Sequence, residues 1–279
     1  MGRAKEIIVK VIPPKLANEF VKKNHYSGKV VNNSSLHFGC FLDNQLHGVL
    51  SYGSPLDKRK VLPLVQPSLW NEMLELNRMA FDEYLPKYSE SRCIAISIRL
   101  IKKNAPHIKW ILSFSDGTQC GDGTIYRASG FVLTSIKKND QVWEIEGMKV
   151  TDTSIRPNIG SLKTFNKVVS RVSVTKGINI LNNGASSMSK FKELGYKPLQ
   201  GFQLRYIYLI DKSCKITVPV LPFSMIDKMG AGMYKGEKIT LAERQQAQEV
   251  NQDKRDASSI EIGGSNPTLA LNSRLNLEI

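Results

Sequence analysis

The chain has 279 residues, 41% hydrophobic and 23% charged, enough apolar content for a full core in one large domain or one domain with appendages. Its longest purely apolar runs, such as Ile7-Ile8-Val9 and Ile111-Leu112, fall far short of the ~20 residues a membrane span needs. Met1 to Lys10 holds no signal-peptide apolar core, so a cytoplasmic protein with no membrane partner is expected.

Thirty-nine Lys and Arg against 25 Asp and Glu leave a net charge of +14. A field of that sign attracts polyanions through phosphate contacts. Composition alone leaves nucleic acid, an anionic membrane surface and plain solubility open, with nucleic acid favoured. The four cysteines, Cys40, Cys93, Cys120 and Cys214, form no C-x-x-C pair, which argues against a disulfide frame or a structural zinc site.

Glu6 to Ile12 predicts a strand stopped by Pro13-Pro14, and Pro14 suits the first turn of a helix reaching about Asn24. Leu36 to Leu42 and Gln45 to Tyr52 predict a hairpin turned by Asp43-Asn44. Pro67 is expected to start a short helical stretch, and Glu75 to Phe81 a strand. In Arg92 to Lys103, Ile94, Ile96, Ile98 and Leu100 alternate as in a strand, while Ile94, Ile98 and Ile101 make a helical stripe. The preceding serines and the length favour helix.

Lys109 to Ser115 predicts a buried strand and Thr124 to Ser129 a short helix. Phe131 to Ile136 and Gln141 to Val150 are expected to pair about Asn139-Asp140. Ser186 to Leu194 predicts a helix stopped by Gly195, and Phe202 to Ile210 a strand. This order suits an α/β fold with a mixed central sheet and flanking helices. From Ile239 onward the chain turns polar and loses its aromatics, which predicts a weakly ordered C-terminal tail.

Four segments together resemble the Mom-type DNA modification proteins of phages. They are Asn24-His25-Tyr26-Ser27, the run Glu75 to Phe81, the run Ser89 to Arg92, and Ser113 to Asp116 with Gly123 to Phe131. Each alone is weak; their order and spacing make the likeness specific over about Ile7 to Ile136, with a lesser likeness over Lys192 to Tyr208. The resemblance implies a sheet of the Gcn5-related N-acetyltransferase type. It divides the chain into a modification domain over 1–215, an extension over 216–245 and a tail over 246–279. It also implies conversion of adenine to N6-carbamoylmethyladenine in phage DNA, which shields that DNA from host restriction. Double-stranded DNA and a small-molecule donor are the implied partners, and a homodimer stays open.

The resemblance makes His25, Tyr26 and Asp116 a catalytic and iron-binding set. One imidazole, one phenolate and one carboxylate suit a redox-active iron better than a structural zinc. Asp116 has a case of its own, since α/β sheets place their sites beyond the carboxyl ends of strands. Without the resemblance, His25 is an ordinary structural histidine. Arg78 is expected either to pair with Glu75 or Asp82 or to touch cofactor or substrate.

Ser89, Ser91 and Arg92 stand at a helix N-terminus, whose free amides suit the pyrophosphate of acetyl-CoA or another acyl-CoA-type ligand. The loop before them lacks the glycines of authentic acetyltransferases, and the alternative is a serine cap beside a surface arginine. Tyr126 is a catalytic candidate that either stacks on an extruded base or covers the core. Arg127, Lys163, Lys167, Arg171 and Lys176 are candidates for DNA phosphate contacts or solvated surface charges. Two competing functions remain: an N-acetyltransferase acting on a protein or small-molecule amine, and a basic DNA-binding protein without catalysis.

Overall fold

Pro13 and Pro14 end strand β1 (Ile8–Val11), and Pro14 opens helix α1 (Pro14–Asn24), where its missing amide costs nothing. Strands β2 (Ser34–Leu42) and β3 (Gln45–Gly53) form the expected hairpin. Asp43 and Asn44 turn it at φ of 51° and 62°, the left-handed conformation their short polar side chains tolerate. Pro67 starts no helix. The short helix α2 (Lys58–Val61) lies before it, capped by the Asp57 side chain, and Pro67 follows the extended pair β4 (Val65–Gln66).

Strand β5 (Met73–Phe81), helix α3 (Ser89–Asn104) and strand β6 (Trp110–Asp116) come next. α3 buries Cys93, Ile94, Ser97, Ile98 and Ile101, so its helical stripe prevails over the alternation. Then follow helix α4 (Thr124–Ala128) and strands β7 (Val132–Lys138), β8 (Val142–Ile145) and β9 (Met148–Thr151). Helices α5 (Asp152–Ile155), α6 (Leu162–Lys176) and α7 (Met188–Glu193) lead to strand β10 (Phe202–Leu209). Short elements β11 (Lys215–Ile216), α8 (Ser224–Lys228), β12 (Met233–Tyr234) and β13 (Glu237–Lys238) close the series. The computed structural model describes residues 3–155, 162–178, 188–234, 237–240, 242, 243 and 246.

The hairpin expected about Asn139-Asp140 does not form. β7 pairs with β10, while β8 turns back on β9 through Glu146 and Gly147, both at positive φ. Asn139 is occupied differently: its amide group donates to the Val142 and Leu199 carbonyls, and its oxygen accepts from the Gln141 and Val142 amides. It therefore ties two chain segments together where a turn was expected. Helix α6 falls in a stretch for which the sequence suggested no element.

The main sheet has seven strands in the order β1-β2-β3-β5-β6-β10-β7, antiparallel except for β5 and β6. Alternation along β3 sends Val49 to one face, against α1, and Leu50 to the other, into the core with α3. The mixed sheet with flanking helices is the class expected from the sequence. The β5–β6 pairing runs only from Met73↔Trp110 to Leu76↔Ser113. Beyond it both strands continue, β5 to Phe81 and β6 to Asp116, with a gap between them. At the same point β3 pairs Tyr52 with Leu76 and Ser51 with Arg78, leaving Asn77 as an extra residue in a bulge.

The chain divides into two compact units, Met1–Lys238 and Ile239–Ile279. Residues after β10 pack within the first, where β11 pairs with β4. In the second, the Thr240 amide donates to the Glu243 carboxylate and the Glu243 amide to the Thr240 hydroxyl, a capping box. The tail expected over 246–279 lies, apart from residue 246, outside the described residues. Among the described residues, no helix is long and apolar enough to cross a membrane.

Candidate active site

The gap between β5 and β6 opens a cavity of about 340 Å³, a size that suits a small-molecule or nucleobase site. Its walls come from the exit of α1, the β5 bulge, the end of β6, the loop into α4, and β12. The His25 amide closes α1 by donating to Val21, and Gly28 at φ 58° turns the chain so that His25 and Tyr26 face the cavity.

The Tyr26 hydroxyl donates to Asp116 Oδ2 at 3.3 Å, which brings together residues far apart in sequence. Asp116 Oδ2 also accepts from the Gln119 amide at 3.1 Å, and Oδ1 accepts from the Thr118 amide and hydroxyl. Half of the Tyr26 surface is exposed, but its hydroxyl end lies against the cavity wall. Burial first, and then the Asp116 charge, hold that hydroxyl protonated far above the ordinary phenol range. His25 Nδ1 accepts from the Ser27 amide at 3.1 Å, which puts the ring proton on Nε2. Burial and the nearby Arg78 push its pKa down to about 4, so it is a neutral hydrogen-bond donor.

His25, Tyr26 and Asp116 thus converge, but their donor atoms do not fit the iron implied by the resemblance. All four lone-pair positions of Asp116 are taken by N–H and O–H donors. The Tyr26 hydroxyl donates to Asp116, and His25 Nδ1 accepts from the Ser27 amide.

Arg78 pairs with neither Glu75 nor Asp82. Its Nε donates to the Lys29 carbonyl at 2.9 Å and Nη1 to its neighbour's carbonyl at 2.7 Å, and Asp82 instead holds His47. The bulge places Arg78 in the cavity wall, where it forms no ion pair with either acid. Its positive charge is therefore held by neutral carbonyls and remains available to an anion, while burial lowers its pKa. Glu75, nearby on β5, is pushed up to about 7 by burial, with Arg78 partly opposing.

Several expected roles change. Tyr126 lines the cavity, but its ring is buried against Phe131 and Tyr206, so it is no open stacking platform. Ser89 is fully buried with its hydroxyl donating to the Pro86 carbonyl, so its side chain cannot reach a cofactor; Tyr88, not a serine, occupies the cap position. Arg127 donates to buried Asp122 at 3.1 Å and to Thr124, so it neutralises a carboxylate and is not free for phosphate. Arg171 donates to the Glu146 carbonyl, and Lys176 lies 5.8 Å over the Tyr196 ring. Lys163 and Lys167 are exposed.

A second cavity, about 390 Å³, lies at the N-terminal end of α3. Lys5, Lys87, Ser91, Arg92 and Arg99 line it, and no acid does. Arg92 donates to the Lys5 carbonyl at 3.2 Å, while its Nε is buried without a partner.

Sequence reasoning missed Asn77, Phe114, Cys120 and Tyr234, all of which line the first cavity. The Asn77 oxygen accepts from Ser34 at 2.8 Å, and its amide nitrogen is buried without a partner. An uncharged amide side chain between Leu76 and Arg78 in β5 was the available signal. Phe114 is 44% exposed only because β5 leaves β6 beside it, and Tyr234 arrives from a segment outside the resemblance.

Over 129 residues the chain is 37% identical to the methylcarbamoylase Mom of Escherichia phage Mu, covering 46% of this chain and 53% of that protein. It thus spans about half the length of this relative. Among solved structures, it is similar to a Bacillus subtilis acetyltransferase in complex with CoA (10% identity, 73% of this chain and 99% of that one, TM-score 0.37). A probable acetyltransferase from Staphylococcus epidermidis has the same identity and coverage at a TM-score of 0.39. The family model described as the Mom protein family matches residues 6–225, and the chain belongs to that family.

Proposed function

We propose that this chain is a DNA-modifying transferase that converts adenine to N6-carbamoylmethyladenine in double-stranded phage DNA within the host cytoplasm, protecting it from restriction. The observation that carries this reading is the cavity between β5 and β6, lined by Tyr26, Asp116 and Arg78, in a member of the Mom family. An adenine inside a duplex must leave the stack to react. Tyr26, Phe114 and Tyr234, respectively 50%, 44% and 60% exposed, offer it aromatic surface at the cavity.

In the reaction a bond forms between N6 and the methylene carbon, the bond from that carbon to the donor's leaving group breaks, and N6 loses one proton. The proton lost by N6 is carried off with the donor's leaving group. Arg78 and the unpartnered Asn77 amide suit the carbonyl of the transferred group, and His25 Nε2 offers a further donor. The cationic cavity at α3 suits a donor that carries phosphate groups and bears its leaving group on the methylene carbon.

The test is mass spectrometry of nucleosides from DNA of cells expressing the chain. A deoxyadenosine heavier by one carbamoylmethyl substituent is expected. Unchanged nucleosides alongside acetylated protein or small amines would overturn the reading.

A further inference from the structure

Strand β7 ends at Lys138 and β10 begins at Phe202, and these two residues are direct partners in the sheet. The 139–201 segment therefore leaves the sheet and returns to it at one point, as an insertion. It has its own core, in which Trp143, Ile145 and Val150 of the β8–β9 hairpin meet Phe165, Val168 and Val172 of α6. Its neck is tight. Asn139 bonds both sides, the Asn139 amide donates to Gly201, and the Leu199 amide donates to Val142.

That neck adjoins the cavity. Gln203 pairs with Lys137 on one side and Asp116 on the other, and the Gly117 amide donates to the Phe202 carbonyl at 2.8 Å. Gly201, at φ 144°, approaches so closely that a Cβ there would stand 2.6 Å from the Gly117 oxygen. The insertion thus rises from the end of the sheet at which Asp116 lies.

Across 139–201 nine Lys and Arg stand against five Asp and Glu, and the acids lie toward its two ends. From Thr153 to Lys192 the sequence has seven Lys and Arg and no Asp or Glu. Helix α6 buries Phe165, Val168, Val169 and Val172 and exposes Lys163, Asn166, Lys167 and Ser170 on the opposite face. Lysine, asparagine and serine are side chains that position proteins on DNA phosphates. Lys163 and Lys167 have no ion-pair partner among the described residues.

From this we infer that the 139–201 insertion is a docking module for duplex DNA, with Lys163 and Lys167 of α6 contacting backbone phosphates beside the cavity. The inference rests on the proposed function and adds where the duplex is held.

The test is equilibrium binding of the full chain to duplex DNA across roughly 50 to 200 mM salt. The Lys163→Ala/Lys167→Ala double variant is compared with Lys102→Ala/Lys103→Ala, which removes equal charge from the exposed end of α3. The α6 pair should weaken binding about 10- to 100-fold and lower the log–log salt slope by about 2. The DNA concentration for half-maximal modification should rise by the same factor. The α3 pair should change affinity by less than about 3-fold. Equal effects from both pairs, or none from the α6 pair, would overturn the module. So would duplex-independent binding of phosphatidylserine vesicles through the α6 pair. If wild-type protein modifies DNA while the α6 pair has no effect, only this inference fails; if wild-type protein leaves DNA unmodified, the functional reading fails with it.

Discussion

Tyr26 and Asp116 share a hydrogen bond of 3.3 Å across 90 residues of sequence, joining the exit of α1 to the end of β6 over the gap in the sheet. The phenol is the donor and is held protonated. Tyr26→Phe keeps the ring and removes only this bond. A charge-assisted bond lost from the site should lower DNA modification about 10- to 100-fold while costing ~1 kcal/mol of stability. Modified nucleoside yield and thermal unfolding measure the two effects. A wild-type yield would remove Tyr26 from the mechanism.

Glu75 makes the fold sensitive to pH in an unusual direction. Its folded pKa is raised from 4.5 to about 7, so between these values the folded chain binds the proton more tightly than the unfolded one. Stability from this group therefore falls as pH rises from about 4.5 through 7, by on the order of 3 kcal/mol in all. Glu75→Gln should raise the unfolding temperature at about pH 8 and leave it nearly unchanged at about pH 4. A gain of equal size at both would contradict the assignment.

His25 shifts the other way, from 6.5 down to about 4, because burial and then Arg78 disfavour its charge. Its contribution is present above about 6.5 and is lost as pH falls toward 4. Nuclear magnetic resonance should show its ring neutral at pH 6, with the proton on Nε2. Arg78→Met should raise its pKa without restoring 6.5, since burial is the larger cause. A wild-type titration near 6.5 would contradict the buried site.

Arg127 separates structural from DNA-binding charge. It neutralises Asp122, whose side chain is 2% exposed. Arg127→Ala should destabilise by about 3–5 kcal/mol because it leaves a buried carboxylate uncompensated. Where the variant remains folded, its salt dependence of DNA binding should match wild type. A lower salt slope at unchanged stability would restore the phosphate role.

The legible parts of the fold were those with local causes. Pro14 opens α1, Asp43-Asn44 turn the hairpin, and Ile94, Ile98 and Ile101 face the core from α3. The insertion was less legible. Phe165, Val168, Val169 and Val172 have helical spacing, but the valines and threonines of α6 are residues that also favour strands. The turn signal at Asn139 belonged to a neck, and the true turn lay at Glu146-Gly147.

At the site, no spacing links His25 and Tyr26 to Asp116; the family likeness selected the first two, while Asp116 also stood at the carboxyl end of a predicted buried strand. The exposure of Phe114 depends on where two distant strands part, which no local pattern encodes. Ser89 and Arg127 had suitable chemistry but spend it on Pro86 and Asp122.

The central claim is that the cavity between β5 and β6 modifies adenine. Its most direct test compares nucleosides from DNA of cells expressing wild-type chain or Asp116→Ala, with unfolding temperature and duplex affinity measured on both purified proteins. Carbamoylmethylated deoxyadenosine should be present with wild type and reduced at least about 100-fold in the variant, with duplex affinity retained. Equal modification by a folded Asp116→Ala protein, or no modified adenine with wild type, would contradict the account.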